Sequence, residues 1–206
     1  MPFVLWTFWN TKSRPSGRGS AHARYIFPVF LAWIIYKRHT GEYARFASTY
    51  LLATFAAFLF FIIYPSAPPW LASQDGSIPH ITRIASAIFA SIGVHDFGRL
   101  YSSYAPNPIA TFPSLHTAYA VMFVLFVQRY FSWRWTLVSL LYPFCIIFGV
   151  IYMGEHYVTD VLAGIGLAVG SYALVPLLLR FMEARALSMG VRLPFAAYIG
   201  RGDLHD

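Results

Sequence analysis

Two short stretches of the 206-residue sequence hold side chains that can move a proton and attack phosphorus. The first is Thr111-Phe-Pro-Ser-Leu-His-Thr117. Proline preorganises the first turn of a helix, and a serine or threonine beside it caps free amides. A helix start also offers backbone N–H groups and a positive dipole end, which together favour phosphate. Pro113 and Ser114 are therefore candidates to bind an anion, with His116 in the same turn to exchange a proton with it. The second stretch is Gly154-Glu-His-Tyr-Val-Thr-Asp160. His156 and Asp160 stand four apart, which on a helix puts them on one face. A carboxylate against one imidazole nitrogen fixes the tautomer and frees the other nitrogen as a nucleophile. Asp160 at the start of an apolar helix is costly without a partner, and His156 is the nearest.

Either histidine alone has an ordinary reading as an interface anchor or a helix cap. Two such clusters opening two helices on one membrane face outweigh it. The expectation is that both imidazoles converge across a gap one phosphate wide. His22, His39, His80 and His95 fall in loops without such neighbours, and His205 lies in the tail. Cys145, the single cysteine, sits in an apolar run and reads as packing.

The elements that must hold these residues are membrane helices. Hydrophobic residues make up 58% of the chain and charged residues 11%, against roughly a quarter charged in soluble domains. The net charge of +7 admits nucleic acid as a partner. Cytoplasmic loops that collect Lys and Arg explain it with less, so no nucleic acid is expected. No apolar run near the start ends in a small-residue cleavage site.

Ala47–Tyr64, Phe112–Phe131, Trp135–Met153 and Tyr157–Leu179 each approach the roughly 20 residues that cross a bilayer. Tyr25–Tyr36 is weaker, since its helix would rise only about 18 Å and Pro28 interrupts it. Ile78, Ile81, Ile84, Ile88 and Ile92 recur at helical spacing, as in an amphipathic helix lying in the interface. A cap packed on the bundle explains that stripe equally. The expected fold is all-α: a polytopic transmembrane bundle of five to six membrane helices plus an interfacial helix. Residues 1–46 form an N-terminal region with the weak segment, 47–180 the catalytic bundle and 181–206 a cytoplasmic tail.

Lys37, Arg38 and Arg45, then Arg129 and Arg134, then Arg180, Arg185, Arg192 and Arg201 fall on one side if the four spans alternate. The positive-inside rule makes that side cytoplasmic and sets the histidine clusters on the extracytoplasmic face of a multi-pass cell-membrane protein. Lys12, Arg14, Arg18 and Arg24 fit only if Tyr25–Tyr36 does not fully cross.

The stretch FPSLH, followed by YxxxHYxxDVLAG, resembles the second and third motifs of the type 2 phosphatidic acid phosphatase (PAP2) superfamily. Tyr64-Pro-Ser-Ala-Pro-Pro-Trp70 and Asn107-Pro-Ile-Ala-Thr-Phe-Pro113 are similar to its inositol phosphorylceramide synthase-like branch. The resemblance covers about residues 47 to 175. It implies a helical core related to vanadium haloperoxidases, with His156 as the nucleophile that forms a phosphohistidine and Asp160 as its orienting carboxylate. It implies His116 as the general acid, Ser114 as a phosphate ligand, and no metal or other cofactor. A haloperoxidase itself is disfavoured, because those enzymes are soluble.

Three departures qualify the resemblance. Gly149 and Val150 stand where the third motif usually begins Ser-Arg. Tyr64–Trp70 carries no cation where the first motif usually offers Lys and Arg. The family core has six spans, leaving either a truncated start or a bundle completed differently. Arg99 and Arg83 are the available cations, and Asn107, Tyr64, Tyr152 and Tyr157 are polar candidates for the phosphate. Border tyrosines and arginines also occur as plain interface anchors. Hydrolysis of a lipid phosphate or diphosphate is the first functional expectation. Transfer of a phospho-head group between lipids comes second, and a non-catalytic lipid-binding relative third.

Overall fold

The computed structural model describes residues 19–81, 84 and 109–191, with side-chain surroundings from residue 26 onward. Among those residues stand helices α1 (Gly19–Arg38), α2 (Thr40–Ile63), α3 (Pro69–Gln74), α4 (Leu115–Tyr130), α5 (Trp133–Ser139), α6 (Leu141–Tyr152) and α7 (Val158–Ser188). They include no β-strand, only an isolated bridge between Ser66 and Ala110. The protein is an all-α helical bundle.

Among the described residues, three stretches are long and apolar enough to cross a membrane: α2, α5–α6 taken together (Trp133–Tyr152), and α7. Their outward faces carry Leu51, Phe55, Leu59, Phe144, Phe148, Leu177 and Phe181 in the open. Water would make such a surface sticky; lipid makes it the expected one.

Helix α4 is built differently. It touches α1, α2, α5, α6 and α7, and buries Thr117, Ala118, Ala120, Met122, Val124, Phe126 and Val127. Ala118 and Met122 pack with Ala53 of α2 and Ala168 of α7. Small side chains there let helix backbones approach where lipid provides no hydrophobic drive. Phe126 and Val127 join Leu31, Ile35 and Phe46, which brings in α1. The Thr54 hydroxyl meets the Tyr119 hydroxyl at 2.6 Å, adding a polar tie between α2 and α4.

The far end of α4 is tied by charge. Glu42 accepts from Arg129 Nε at 3.2 Å, Arg129 Nη2 at 3.3 Å and the Tyr130 hydroxyl at 2.9 Å. Nearby, the Arg45 guanidinium lies 4.8 Å from the Tyr172 ring centroid, a cation–π contact between α2 and α7.

Several boundaries differ from the sequence reading. Tyr25–Tyr36 is the centre of a helix of 20 residues that keeps Pro28 inside it. A proline is tolerated where neighbouring helices shield the backbone it leaves unpaired. The span expected from Phe112 begins at Leu115, because Ser114 caps it. Trp135–Met153 breaks at Leu140; Pro143 cannot donate to the Ser139 carbonyl and crowds it. Helix α7 continues for 31 residues to Ser188, so residues 181–188 of the expected tail are helical. Residues 78–81 are not helical, and Pro79 disfavours the α conformation at Ile78. Beyond them, the isoleucine stripe lies outside the described residues except for Ile84.

Candidate active site

The turn between α6 and α7 fixes His156. Gly154 takes φ +69°, the left-handed conformation that a side chain would strain. Its N–H donates to Ile151 O at 3.0 Å and that of Glu155 to Val150 O at 3.0 Å, the bond pair of a Schellman cap. The His156 N–H adds a further bond to Val150 O at 3.1 Å. Val150 thus acts through its carbonyl, at a position where the superfamily pattern usually has an arginine side chain. Trp70 braces the turn from α3: its backbone N–H reaches Gly154 O at 3.2 Å and its indole N–H reaches Glu155 Oε2 at 3.1 Å.

His156 is 7% exposed and Asp160 is 2% exposed. His156 Nδ1 stands 3.4 Å from Asp160 Oδ2, which also accepts the Tyr157 N–H at 3.0 Å. The expected pairing is present but by another route. Helix α7 starts only at Val158, so His156 precedes it and shares no helical face with Asp160. The carboxylate, third residue of the helix, folds back over its N-cap as in a capping box.

His116 occupies the second position of α4, and its Nδ1 lies 3.2 Å from His156 Nε2. With Asp160 ionised and accepting, His156 carries its proton on Nδ1 and presents the Nε2 lone pair. His116 Nδ1 is then the donor. Proton positions here follow from the bonding pattern. The structure does not show the expected phosphate-wide gap: the two imidazoles are in hydrogen-bonding contact.

Two features lock the helix starts together. The Ser114 N–H donates to the Asp160 carbonyl at 3.0 Å. One turn further along α7, Gly164 faces Ser114: an added Cβ would overlap the Ser114 carbonyl oxygen and come within 3.1 Å of Thr117 Cβ.

The remaining candidates divide. Ser114 is fully buried, and its oxygen accepts from the Thr117 amide at 3.4 Å and hydroxyl at 3.2 Å. Only its own hydroxyl hydrogen is left for an anion, so it caps α4 before it can bind anything. Pro113 is buried beside it. Tyr152 lines an open cleft of about 520 Å³ with His156 and Tyr157, opposite Pro69, His80 and Ile81. Tyr64 is 61% exposed and packs edge-on to Phe112 at 5.6 Å, away from that lining. Arg99, Asn107 and Arg83 lie outside the described residues.

Sequence reading set His80 aside as a loop residue, yet it lines the cleft with His156. Its neighbour Ile81 donates its N–H to Ser73 Oγ at 2.7 Å, which holds this segment against α3. No spacing rule links residue 80 to residue 156. Gly164 was readable as the last residue of DVLAG, but its role needs the facing helix.

Replacing Asp160 by asparagine tests the orienting role. An amide oxygen in the place of Oδ2 can still accept from the Tyr157 N–H and face His156 Nδ1, but it brings no negative charge to stabilise the imidazole as charge develops on it. We expect kcat for a lipid phosphate to fall on the order of 100-fold with helical content by circular dichroism unchanged. Parental kcat would remove Asp160 from the site.

These features define a helical membrane protein with paired histidines at two adjoining helix starts. A profile of the PAP2 superfamily matches residues 21–174, and the chain belongs to that superfamily. Membership supports an enzyme of the phosphatase or phosphotransferase kind. The phosphoinositol dihydroceramide synthase of Bacteroides thetaiotaomicron is 32% identical over 152 residues, covering 68% of this chain and 48% of that protein. The chain thus spans about half the length of that relative, and the likeness supports the synthase-like branch. No solved structure matches the chain.

Proposed function

We propose that this chain transfers a phosphate-linked head group from a membrane lipid to a lipid alcohol through a phosphohistidine on His156. The carrying observation is the continuous chain Asp160–His156–His116, which leaves the His156 Nε2 lone pair as the reactive atom. Nε2 attacks phosphorus, the P–N bond forms, and the P–O bond to the departing lipid breaks. His116, protonated, gives its proton to that oxygen. In the second half the acceptor hydroxyl loses its proton to His116, its oxygen attacks phosphorus, and the P–N bond breaks. Vesicular lipid is both source and acceptor.

Transfer now ranks above hydrolysis, because the relative's name specifies a synthase. Hydrolysis, with water as acceptor, is the second reading, favoured by the room that an open cleft leaves beside His156. Ser114 and Tyr152 contribute hydroxyl donors to the phosphate, and His80, when protonated, contributes the positive charge that the Tyr64–Trp70 stretch lacks. The site faces the extracytoplasmic side, since Lys37, Arg38, Arg129 and Arg134 gather at the opposite end of α2 and α4.

The deciding experiment offers purified protein a panel of lipid phosphates with and without lipid alcohols, and measures free phosphate and transferred head group. Transfer product without free phosphate supports the first reading and free phosphate alone the second. Neither product overturns both. Vanadate, which adopts the five-coordinate shape of phosphorus under attack, is expected to inhibit competitively. EDTA is expected to leave the rate unchanged; a lost rate restored by a divalent ion would point to different chemistry.

A further inference from the structure

The two histidine-bearing turns are joined a second time, by residues 64–70. Near one end of this segment the Ser66 N–H donates to the Ile109 carbonyl at 2.8 Å, and the Thr111 hydroxyl donates to the Ser66 carbonyl at 2.6 Å. At the other end Trp70 holds Gly154 and Glu155 through its backbone and indole N–H groups. Thr111 leads into the start of α4 that carries His116, and Glu155 immediately precedes His156. With the Ser114–Asp160 bond, three segments distant in sequence close a ring of hydrogen bonds in which each pair is joined directly. Ala67, Pro68 and Pro69 connect Ser66 to Trp70, and the two prolines fix φ there. Pro68, Pro69, Trp70 and Thr111 are buried, where hydrogen bonds are stronger than in water.

We propose that residues 66–70 form a strap that sets the separation of His116 and His156, with Thr111 and Trp70 as positioning residues. The proposal rests on the reaction put forward above and adds the device that aligns its two histidines. The bonds fall on residues leading into each histidine, not on the body of either helix. A change of anchorage therefore moves the two rings relative to one another. The strap carries no cation for phosphate, and its contacts go to the two turns instead. Pro69 also lines the cleft beside His156, so the strap is one wall of the space a substrate enters.

Two of the anchors are side-chain bonds that substitution can remove. Thr111→Val keeps the branched shape and deletes the hydroxyl; Trp70→Phe keeps an aromatic ring and deletes the indole N–H. Each is expected to lower kcat about tenfold and leave KM within about twofold, since misaligned reacting groups slow the chemical step. Thr111→Ser, which keeps the hydroxyl, should restore turnover. The second readout is the proton between His116 Nδ1 and His156 Nε2, observed by NMR in the whole protein with ¹⁵N-histidine in detergent micelles. Its downfield signal is identified by its loss in His116→Ala. We expect the signal in the parent and in Thr111→Ser, and its loss from Thr111→Val and Trp70→Phe with circular dichroism unchanged. Parental kcat in both variants, equal losses in Thr111→Val and Thr111→Ser, or a fall in helical content alongside kcat overturns the strap. So does a parent without the signal. Loss of the signal as expected, in a protein that turns over no lipid phosphate, would keep the strap and sink the reaction. Turnover with a signal indifferent to both substitutions does the reverse.

Discussion

Replacing His156 by alanine is expected to lower turnover of a lipid phosphate by about 10⁴-fold or more, because the proposed P–N bond forms on its Nε2. The side chain is almost fully buried and hydrogen-bonded on both nitrogens, so the loss could be misread as unfolding. Two measurements separate these. Circular dichroism in detergent reports the helices. Quenching radiolabelled substrate in alkaline detergent retains the intermediate, which on histidine survives base and is lost in acid, and the label must be missing from the variant. His116→Ala makes the complementary case: it should stall esters with poor leaving groups while sparing a nitrophenyl ester, which needs no proton to depart. His156→Ala turnover within tenfold of the parent would end the proposal.

Gly164→Ala carries the second large effect, through geometry alone. The added methyl would overlap the Ser114 carbonyl oxygen and crowd Thr117 Cβ at 3.1 Å. The rigid backbone of the α4 start cannot yield as a side-chain tip would. The two helices must part where the Ser114 amide bonds to the Asp160 carbonyl. Overpacking of this kind costs about 1–3 kcal/mol, and an ångström of misplacement at reacting groups costs on the order of 100-fold in rate. We expect a lowered melting temperature together with a kcat reduced about 100-fold, while the histidines and carboxylate all remain. Parental kcat in Gly164→Ala would mean that the α4–α7 crossing does not set the alignment of the histidines.

The sequence made the broad architecture legible because lipid demands apolar runs, and those of α2, α6 and α7 are plain to read. It also made His116, His156 and Asp160 legible as neighbours, since each sits at a helix start marked by proline, glycine or serine. What it hid has physical causes. The break at Leu140 depends on how Pro143 meets a carbonyl four residues back, inside an unbroken apolar run. Four-residue spacing suggested a shared helical face for His156 and Asp160, but a capped turn brings them together without one. His80 belongs to the cleft only through the packing of the segment after α3. Ser114 read as a ligand, and the cap it forms on α4 takes most of its hydrogen-bonding capacity.

The contact between the imidazoles bears on catalysis too. His116 Nδ1 lies 3.2 Å from His156 Nε2, so in the proposed reaction phosphorus and His116 compete for the same lone pair.

Helix α4 has a consequence for how the protein is made. At 16 residues, roughly 24 Å at 1.5 Å per residue, it is short for a bilayer, and its polar start and buried threonine ask for protein neighbours instead of lipid. Five helices supply them, three of which, α5, α6 and α7, emerge from the ribosome after it. The helix that carries His116 therefore depends for its insertion on segments not yet synthesised when it first meets the membrane. Pairing of His116 with His156 becomes a late step in biogenesis.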